Sequence, residues 1–159
     1  MFQSLITILE KELAQYQELY ELVNKQTNII KDGDINSLNE ILKQQQKYVT
    51  SISVLEEERQ KELSKLFPGK RSLPTISECI EMAPDEEKMK LAEFHEKLTS
   101  VLQKVQETNE LNQQLLEQSL AFVNFSINLF RPQQKNLNYG PPKQKQHVQD
   151  TSSIFNKEV

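Results

Sequence analysis

The spacing of apolar residues near the N-terminus constrains the fold more than any other feature of this chain. From residue 2 to residue 30 they recur at alternating steps of four and three, with Thr27 at the one polar position, at Phe2, Ile6, Leu9, Leu13, Tyr16, Tyr20, Val23 and Ile30. This period places them on one stripe of an α-helix, as in a coiled-coil seam. We therefore predict a helix over about residues 2–31, ending at Gly33, which can take a left-handed conformation.

A second long helix follows after a very short joint. Asp34 is suited to cap it, and its apolar stripe continues until Pro68-Gly69 stops the helix, which predicts a helix over about residues 34–67. Two long helices joined by three or four residues must fold back on each other, so we predict an antiparallel helical hairpin. Such a pair cannot bury both stripes alone, so a further element has to cover it.

The next segment, residues 68–84, is a proline-containing connector with a short helix inside it. Thr75 and Glu78 have the spacing of a capping box, in which each side chain accepts a hydrogen bond from the other residue's backbone amide. This predicts a helix over about residues 75–82, laid across the open end of the hairpin. Its inward side chains would be Ile76, Cys79 and Ile80, with Cys79 acting as a small buried hydrophobe.

A long last helix is predicted over about residues 85–130. Pro84 suits its first turn, three acidic residues follow near the positive end of the helix dipole, and Arg131-Pro132 stops it. Residues 131–159 have few apolar side chains and many Gln and Lys, the composition of a disordered, flexible tail. We therefore predict an all-α protein: a hairpin and a long third helix, as a three-helix bundle or coiled coil, in a domain over residues 1–130, followed by the tail.

Composition agrees with long helices and argues against several functions. Among 159 residues there are only three Gly, no Trp and 18 Gln, which is unlike the usage of sheet proteins. The net charge is −4, and the tail with five basic and two acidic residues leaves the remaining body at about −7. An acidic body does not suit a nucleic acid partner.

No pattern typical of catalysis or metal binding is present in the sequence. Cys79 is the single cysteine, and neither His95 nor His147 follows a Glu at the three-residue spacing of a di-iron site. There is no Gly-rich phosphate loop and no nucleophile elbow. We therefore expect no enzyme activity, no cofactor and no metal. The sequence also lacks a signal-peptide pattern and a membrane-length apolar run, so we expect a cytoplasmic protein without direct membrane insertion.

The last long helix has two apolar faces, when 100° of rotation is assigned to each residue. The first face is interrupted by Asn109 and Asn112 and comprises Leu91, Phe94, Leu98, Leu102, Val105, Leu116, Leu120, Val123, Ile127 and Phe130. It is long enough to cover the groove of the hairpin. The second face appears only late in the helix and comprises Leu111, Leu115, Phe122, Phe125 and Leu129.

A helix that is apolar on two sides needs two partners. One interpretation is that the second face completes the core, with one side of the helix against each hairpin helix. The other is that it binds a second molecule, because a helix of about 46 residues exceeds its shorter partners by about 20 Å. Burying each Leu or Phe contributes roughly 1.5–3 kcal/mol, so leaving several of them in water is unfavourable.

The chain resembles the FlgN-type flagellar export chaperones over about residues 1–140. The resemblance is carried by the Lys-Asp-Gly-Asp joint followed by Leu38, by the segment Leu55-Glu56-Glu57-Glu58-Arg59, and by the Asn109, Asn112, Leu116, Leu120 and Phe122 pattern of the last helix. It implies a chaperone without ATPase activity. Such a protein binds the C-terminal helical region of hook-filament junction (hook-associated) proteins, keeps them from assembling early, and delivers them to the type III export gate.

The resemblance also suggests where the partners bind. The cargo would lie on the second face, at Leu111, Leu115, Phe122, Phe125 and Leu129, with Val123 beside them. A tail aromatic just past the last helix docks related chaperones on the export-gate membrane protein, and Tyr139 looks like that residue. Two alternatives remain open: a structural coiled-coil protein that homodimerises through the last long helix, and a chaperone for another export substrate such as the filament cap. A homodimer of the chaperone itself in the absence of cargo also remains open.

Overall fold

A computed structural model describes residues 1–130 of the chain, and these residues form four α-helices. The helices are α1 (Gln3–Asp32), α2 (Ile35–Leu66), α3 (Ile76–Met82) and α4 (Asp85–Phe130). Helices are the only regular secondary structure in this part of the chain, so the predicted all-α class is confirmed. The predicted tail, which includes Tyr139, lies outside the described residues.

The chain divides into two compact units, Met1–Leu115 and Leu116–Val159. The first unit contains α1, α2, α3 and the first part of α4. In the second unit, residues 116–130 are described, and they are helical throughout.

The turn between α1 and α2 forms as the sequence predicts. Gly33 has a left-handed φ of 70°, and its N–H donates to the carbonyl oxygen of Ile30 at 3.2 Å. Asp34 then caps α2, because its carboxylate accepts from the backbone N–H of Ser37 at 3.1 Å and from the Ser37 hydroxyl at 2.6 Å. These two hydrogen bonds hold the pKa of Asp34 below its usual value.

The hairpin is antiparallel, as predicted. Near the turn, the Gln45 side chain donates to that of Gln26 at 2.8 Å, and farther from the turn Arg59 Nε lies 3.6 Å from Glu12 Oε1. Partner positions therefore move apart along the sequence, as they must in antiparallel helices. Glu12 and Gln26 are both buried, so the α1–α2 interface contains polar groups as well as apolar ones.

Helix α3 closes one end of the first unit. Its capping box is confirmed, since Glu78 N–H donates to Thr75 Oγ1 at 3.3 Å and Thr75 N–H donates to the Glu78 carboxylate at 3.0 Å. Ile76 and Cys79 are buried in the main core, beside Phe2. Burial raises the pKa of the Cys79 thiol, so this cysteine is a small packed hydrophobe, as expected from the sequence.

Within the first unit, α1 and the first part of α4 run parallel. At the start, the Met1 ammonium and the Phe2 N–H both contact Glu87 Oε1 at 3.2 Å. Toward the end of α1, the buried Asn112 donates from Nδ2 to the Val23 carbonyl oxygen at 3.0 Å. The Thr27 hydroxyl donates to Asn112 Oδ1. Residues of α1 thus lie beside residues of α4 that come about 85 positions later. The same offset from Ile30, in the last turn of α1, leads to Leu115.

The first face of α4 is buried in only part of its length, which corrects one expectation. Leu91, Leu98 and Val105 lie in the core, together with Val101, which the sequence did not assign to either face. Phe94 and Leu102 are half-buried. The members from residue 116 onward, which were also expected to cover the hairpin groove, are exposed: Leu116, Leu120, Val123, Ile127 and Phe130. The reason is the length of α1, which ends at Asp32 and offers counterparts only as far as about Leu115.

Candidate functional site

The candidate site is the exposed apolar surface of residues 116–130. Eight large apolar side chains of this segment are exposed, and Phe130 (85%), Phe122 (69%) and Phe125 (61%) are among the most exposed of them. Contiguous apolar surface of this kind is rare on soluble proteins unless a partner covers it. The interpretation in which the second face completes the core is therefore wrong for Phe122, Phe125 and Leu129.

The residues of this segment favour a helix, and most of its length carries no charged side chain. Residues 116–130 contain neither Gly nor Pro, and residues 118–130 contain no Asp, Glu, Lys or Arg. A helix of this composition cannot gain from ion pairs between residues four apart. Tertiary packing supplies most of the stability of helices in proteins, so this segment stands to gain stability from a partner.

The apolar side chains of residues 116–130 occupy most of the helix circumference. With 100° per residue, the members of the two faces together span an arc of about 220°. Ser119 and Ser126 lie inside this arc, between the two faces, whereas Glu117, Asn124 and Asn128 form the opposite polar strip. An arc of this width exceeds the apolar stripe of an ordinary surface helix, which is somewhat wider than about 100°.

The site residues predicted from the sequence fall in different surroundings. Leu111 is exposed and Leu115 is half-buried, and both belong to the first unit. Phe122, Phe125 and Leu129 are exposed in the second unit. Val123 is exposed as well, but it belongs to the first face by its position on the helix.

Four exposed residues of this surface were missed by the sequence analysis, which assigned them to the core: Leu116, Leu120, Ile127 and Phe130. Periodicity alone could not separate them from buried residues such as Leu98, because they share the same helical register. The sequence analysis applied the length of the helix only to the second face, but a helix that is longer than its partners cannot bury its first face from end to end either.

The buried ionisable groups of the first unit are structural in character. Burial raises the pKa of Glu12, an effect that Arg59 opposes and Glu56 reinforces. Burial also raises the pKa of Tyr16 to about 12, with further contributions from the carboxylates of Glu12 and Glu56. These groups lie along the α1–α2 interface, where Arg59 Nε is 3.6 Å from Glu12 Oε1.

Two further properties bear on the kind of site that is present. Within residues 1–130, no group of three or more His, Cys, Asp and Glu side chains is placed to hold a metal ion. In the same residues, no helix combines the length and the apolarity that a membrane crossing requires.

Comparison with known proteins places the chain among its relatives. The family described as "FlgN protein" matches residues 1–147. The uncharacterized protein YvyG of Bacillus subtilis (strain 168) is 32% identical over 137 residues, which cover 86% of this chain and 85% of the relative. No solved structure shows a significant match.

Proposed function

This chain belongs to the FlgN protein family, and from that premise we propose that it is a cytoplasmic flagellar export chaperone for hook-filament junction proteins. The family is one of chaperones and not of enzymes. Its members act on flagellar substrate proteins that have yet to be exported. We propose that this chain binds the C-terminal helical region of such a cargo, keeps it from assembling early, and delivers it to the type III export gate.

The observation that carries the proposal is the exposed apolar surface of residues 116–130. An amphipathic helix laid against an apolar groove or face is an established mode of peptide recognition. We propose that Phe122, Phe125 and Leu129 contact the cargo, with Val123 beside them and Leu111 and Leu115 extending the same face. Covering each large side chain contributes roughly 1.5–3 kcal/mol to binding. If the cargo segment folds on binding, ordering it consumes about 2–5 kcal/mol of the summed contribution.

Two substitutions on this surface test the proposal. Phe122→Asp and Phe125→Asp each place a charge on the proposed contact surface, so each should weaken binding of a purified hook-filament junction protein at least tenfold in a calorimetric titration. Met89→Asp is the matched control, because Met89 lies on the same helix and is 75% exposed. Its affinity should stay within twofold of wild type.

The expected effect is on binding and not on folding. All three side chains are exposed, so the helical circular dichroism and the urea midpoint should remain close to the wild-type values. Loss of binding by Met89→Asp to the same extent, or unchanged binding by both phenylalanine variants, would show that the cargo site lies elsewhere.

For delivery, we propose that Tyr139 contacts the export-gate membrane protein. The resemblance to related chaperones supports this role, and Tyr139 itself lies outside the described residues. Tyr139→Ala should retain cargo affinity and weaken binding to the purified cytoplasmic domain of the gate protein. Phe155→Ala, which removes another aromatic from the same tail, serves as the control and should bind the gate like wild type. Equal gate binding by both variants would remove Tyr139 from the proposal.

The same exposed surface is also open to two other partners. In the first alternative, two copies pair through α4 as a structural homodimer, and light scattering would find a dimer at low micromolar concentration that excludes added junction protein. In the second, the cargo is a different export substrate such as the filament cap protein. A pull-down with purified junction and cap proteins side by side separates these cargoes.

A further inference from the structure

A layer of polar side chains crosses the three long helices of the first unit close to the hairpin turn. Between α1 and α2, Gln45 Nε2 donates to Gln26 Oε1 at 2.8 Å. Between α1 and α4, the Thr27 hydroxyl donates to Asn112 Oδ1. Gln26 and Asn112 are buried, and Gln26 and Thr27 are consecutive, so both contacts lie at one level of the unit. We call these four residues the polar layer.

The register of the hairpin places two isoleucines at one level beyond the polar layer. The contacts that Gln45 and Arg59 make with α1 are 14 residues apart on each helix, so one antiparallel register connects them. Four residues closer to the turn, the same register places Ile30 level with Ile41. Both of these side chains are buried.

The hairpin tip, residues 28–44, contains little buried apolar surface besides this pair. Ile30 and Ile41 are its buried side chains, and neither belongs to a core cluster. Ile35 is 71% exposed and Leu42 is 44% exposed, so the first turns of α2 contribute few apolar contacts. A segment with few buried apolar contacts opens at a lower free energy than the core of the same protein.

The opposite end of the first unit is packed much more extensively. Phe2, Leu5 and Leu9 are fully buried there, and α3 adds Ile76 and Cys79 to the same cluster. Opening this end would expose many more apolar side chains than opening the tip would. The stability of the first unit is therefore concentrated away from the hairpin turn.

The polar layer limits how strongly the tip is coupled to the core beside it. Apolar side chains at this level would lose packing contacts whenever the tip opened, which would tie the two regions together. The Gln26–Gln45 pair contributes less, because water can replace either partner when the two amides separate. On the core side, Asn112 donates to the carbonyl oxygen of Val23, a member of the second core cluster, so this part of the layer is attached to the core.

We propose that the hairpin tip opens and closes as a separate cooperative unit while the rest of the first unit stays folded, with the polar layer as the boundary. Opening exposes Ile30 and Ile41. The fold thus contains a local equilibrium that changes how much apolar surface the hairpin presents to solvent. This equilibrium belongs to the chain alone and needs no cargo.

Native-state amide hydrogen exchange of the full-length chain tests the proposal without any variant. Residues 39–44 and 52–63 both lie in α2, beyond its first four residues, so their N–H groups donate within the helix. Protection factors over residues 39–44 should be at least about a hundredfold lower than over residues 52–63. Residues 29–32 of α1 should share the opening free energy and the urea dependence of residues 39–44, because both sides of the tip open in one step.

Two substitutions distinguish a cooperative tip from helix ends that fray separately. Val101→Ala, in the main core, should lower protection over residues 52–63 at least threefold and leave residues 39–44 unchanged. Ile41→Ala should lower protection at least threefold in residues 39–44 and by the same factor in residues 29–32, which belong to the other helix.

A pair of leucine substitutions tests the polar layer itself. Gln26→Leu combined with Gln45→Leu replaces the amide pair by apolar side chains of similar helix propensity, and it should raise protection in the tip at least fivefold. Gln17→Leu combined with Gln46→Leu is the matched control, because both glutamines are exposed on the same two helices. The control should leave protection in the tip within twofold of wild type.

Three results would overturn the proposal. Equal protection in residues 39–44 and 52–63, or a Val101→Ala variant that lowers both to the same extent, would show that the first unit opens as a whole. An Ile41→Ala variant that affects α2 and not α1 would show that the helix ends fray one by one. A leucine pair in the layer that protects the tip no more than the control pair does would remove the boundary. Since no cargo enters these measurements, each result leaves the proposed function unaffected.

Discussion

Replacing Asn112 by alanine perturbs the one buried amide that connects α1 to α4 in the described residues. Asn112 is 2% exposed, and it donates to the Val23 carbonyl oxygen and accepts from the Thr27 hydroxyl. A buried Asn on a helix seam specifies register, since it finds its partners at one alignment of the two helices. We expect the alanine variant to lose stability and to keep its helical content.

The size of the loss follows from the groups left behind. The variant loses two buried hydrogen bonds, each contributing about 0.5–1.5 kcal/mol. The Thr27 hydroxyl can turn to the Val23 carbonyl oxygen, 3.4 Å away, so it does not remain unsatisfied. The small cavity adds to the loss. We therefore expect the free energy of unfolding to fall by about 1–3 kcal/mol.

Urea unfolding followed by far-UV circular dichroism measures this loss. With a urea dependence of about 1–3 kcal/mol per molar, the midpoint should fall by about 1 M. Asn109→Ala is the matched control, because Asn109 lies one turn earlier on α4 and is only half-buried. It should change the free energy of unfolding by less than about 0.5 kcal/mol.

A double-mutant cycle with Thr27→Val shows whether the hydrogen bond between Thr27 and Asn112 is responsible for part of the lost stability. Because Thr27 and Asn112 share a hydrogen bond, the sum of the stability losses in the two single variants should exceed the loss in the double variant by about 0.5–1.5 kcal/mol. Additive losses, or an Asn112→Ala variant as stable as Asn109→Ala, would refute the reasoning.

Two further predictions concern the hairpin. Glu12→Gln should be more stable than wild type at pH 7 in urea unfolding, and the difference should vanish near pH 4. The pKa of Glu12 is raised because burial outweighs the effect of Arg59, so folding favours the protonated side chain. The stability that protonated Glu12 contributes is fully present below the unfolded-state pKa and is lost as the pH rises through the folded-state pKa. A gain that persists at pH 4 would contradict this. Gly33→Ala should lower the free energy of unfolding by about 1–2 kcal/mol, because alanine is strained at the φ of 70° that Gly33 adopts. An added Cβ would meet only open space, so no clash contributes to this loss, and an unchanged urea midpoint would contradict the prediction.

Local features of the fold were predictable because they depend on neighbours in sequence. The turn at Gly33, the Asp34 cap and the capping box of Thr75 and Glu78 all form as expected. Each of them is specified by residues within three or four positions of one another. The all-helical class followed from periodicity in the same way.

The features that the sequence did not reveal depend on partners distant in the chain. Asn109 and Asn112 both read as interruptions of an apolar face, yet only Asn112 lies where α1 offers a carbonyl and a hydroxyl. Leu98 and Leu120 share a face by spacing, yet only Leu98 is buried. Periodicity states which residues share a face but not which helix covers it, so it could not separate core from binding surface.

Stability and the proposed binding surface draw on different residues of the same helix. The core clusters take their α4 members from Leu91, Leu98, Val101 and Val105, whereas the large apolar side chains from residue 116 onward are exposed. Substitutions in residues 116–130 should therefore change affinity with little effect on unfolding, while substitution of Asn112 itself should do the reverse. Because a helix without partners on its apolar faces opens at low free energy, a cargo that covers them should also slow amide hydrogen exchange there, in proportion to its affinity. If amide hydrogen exchange in residues 116–130 stays equally fast with saturating cargo, the cargo binds elsewhere on the chain.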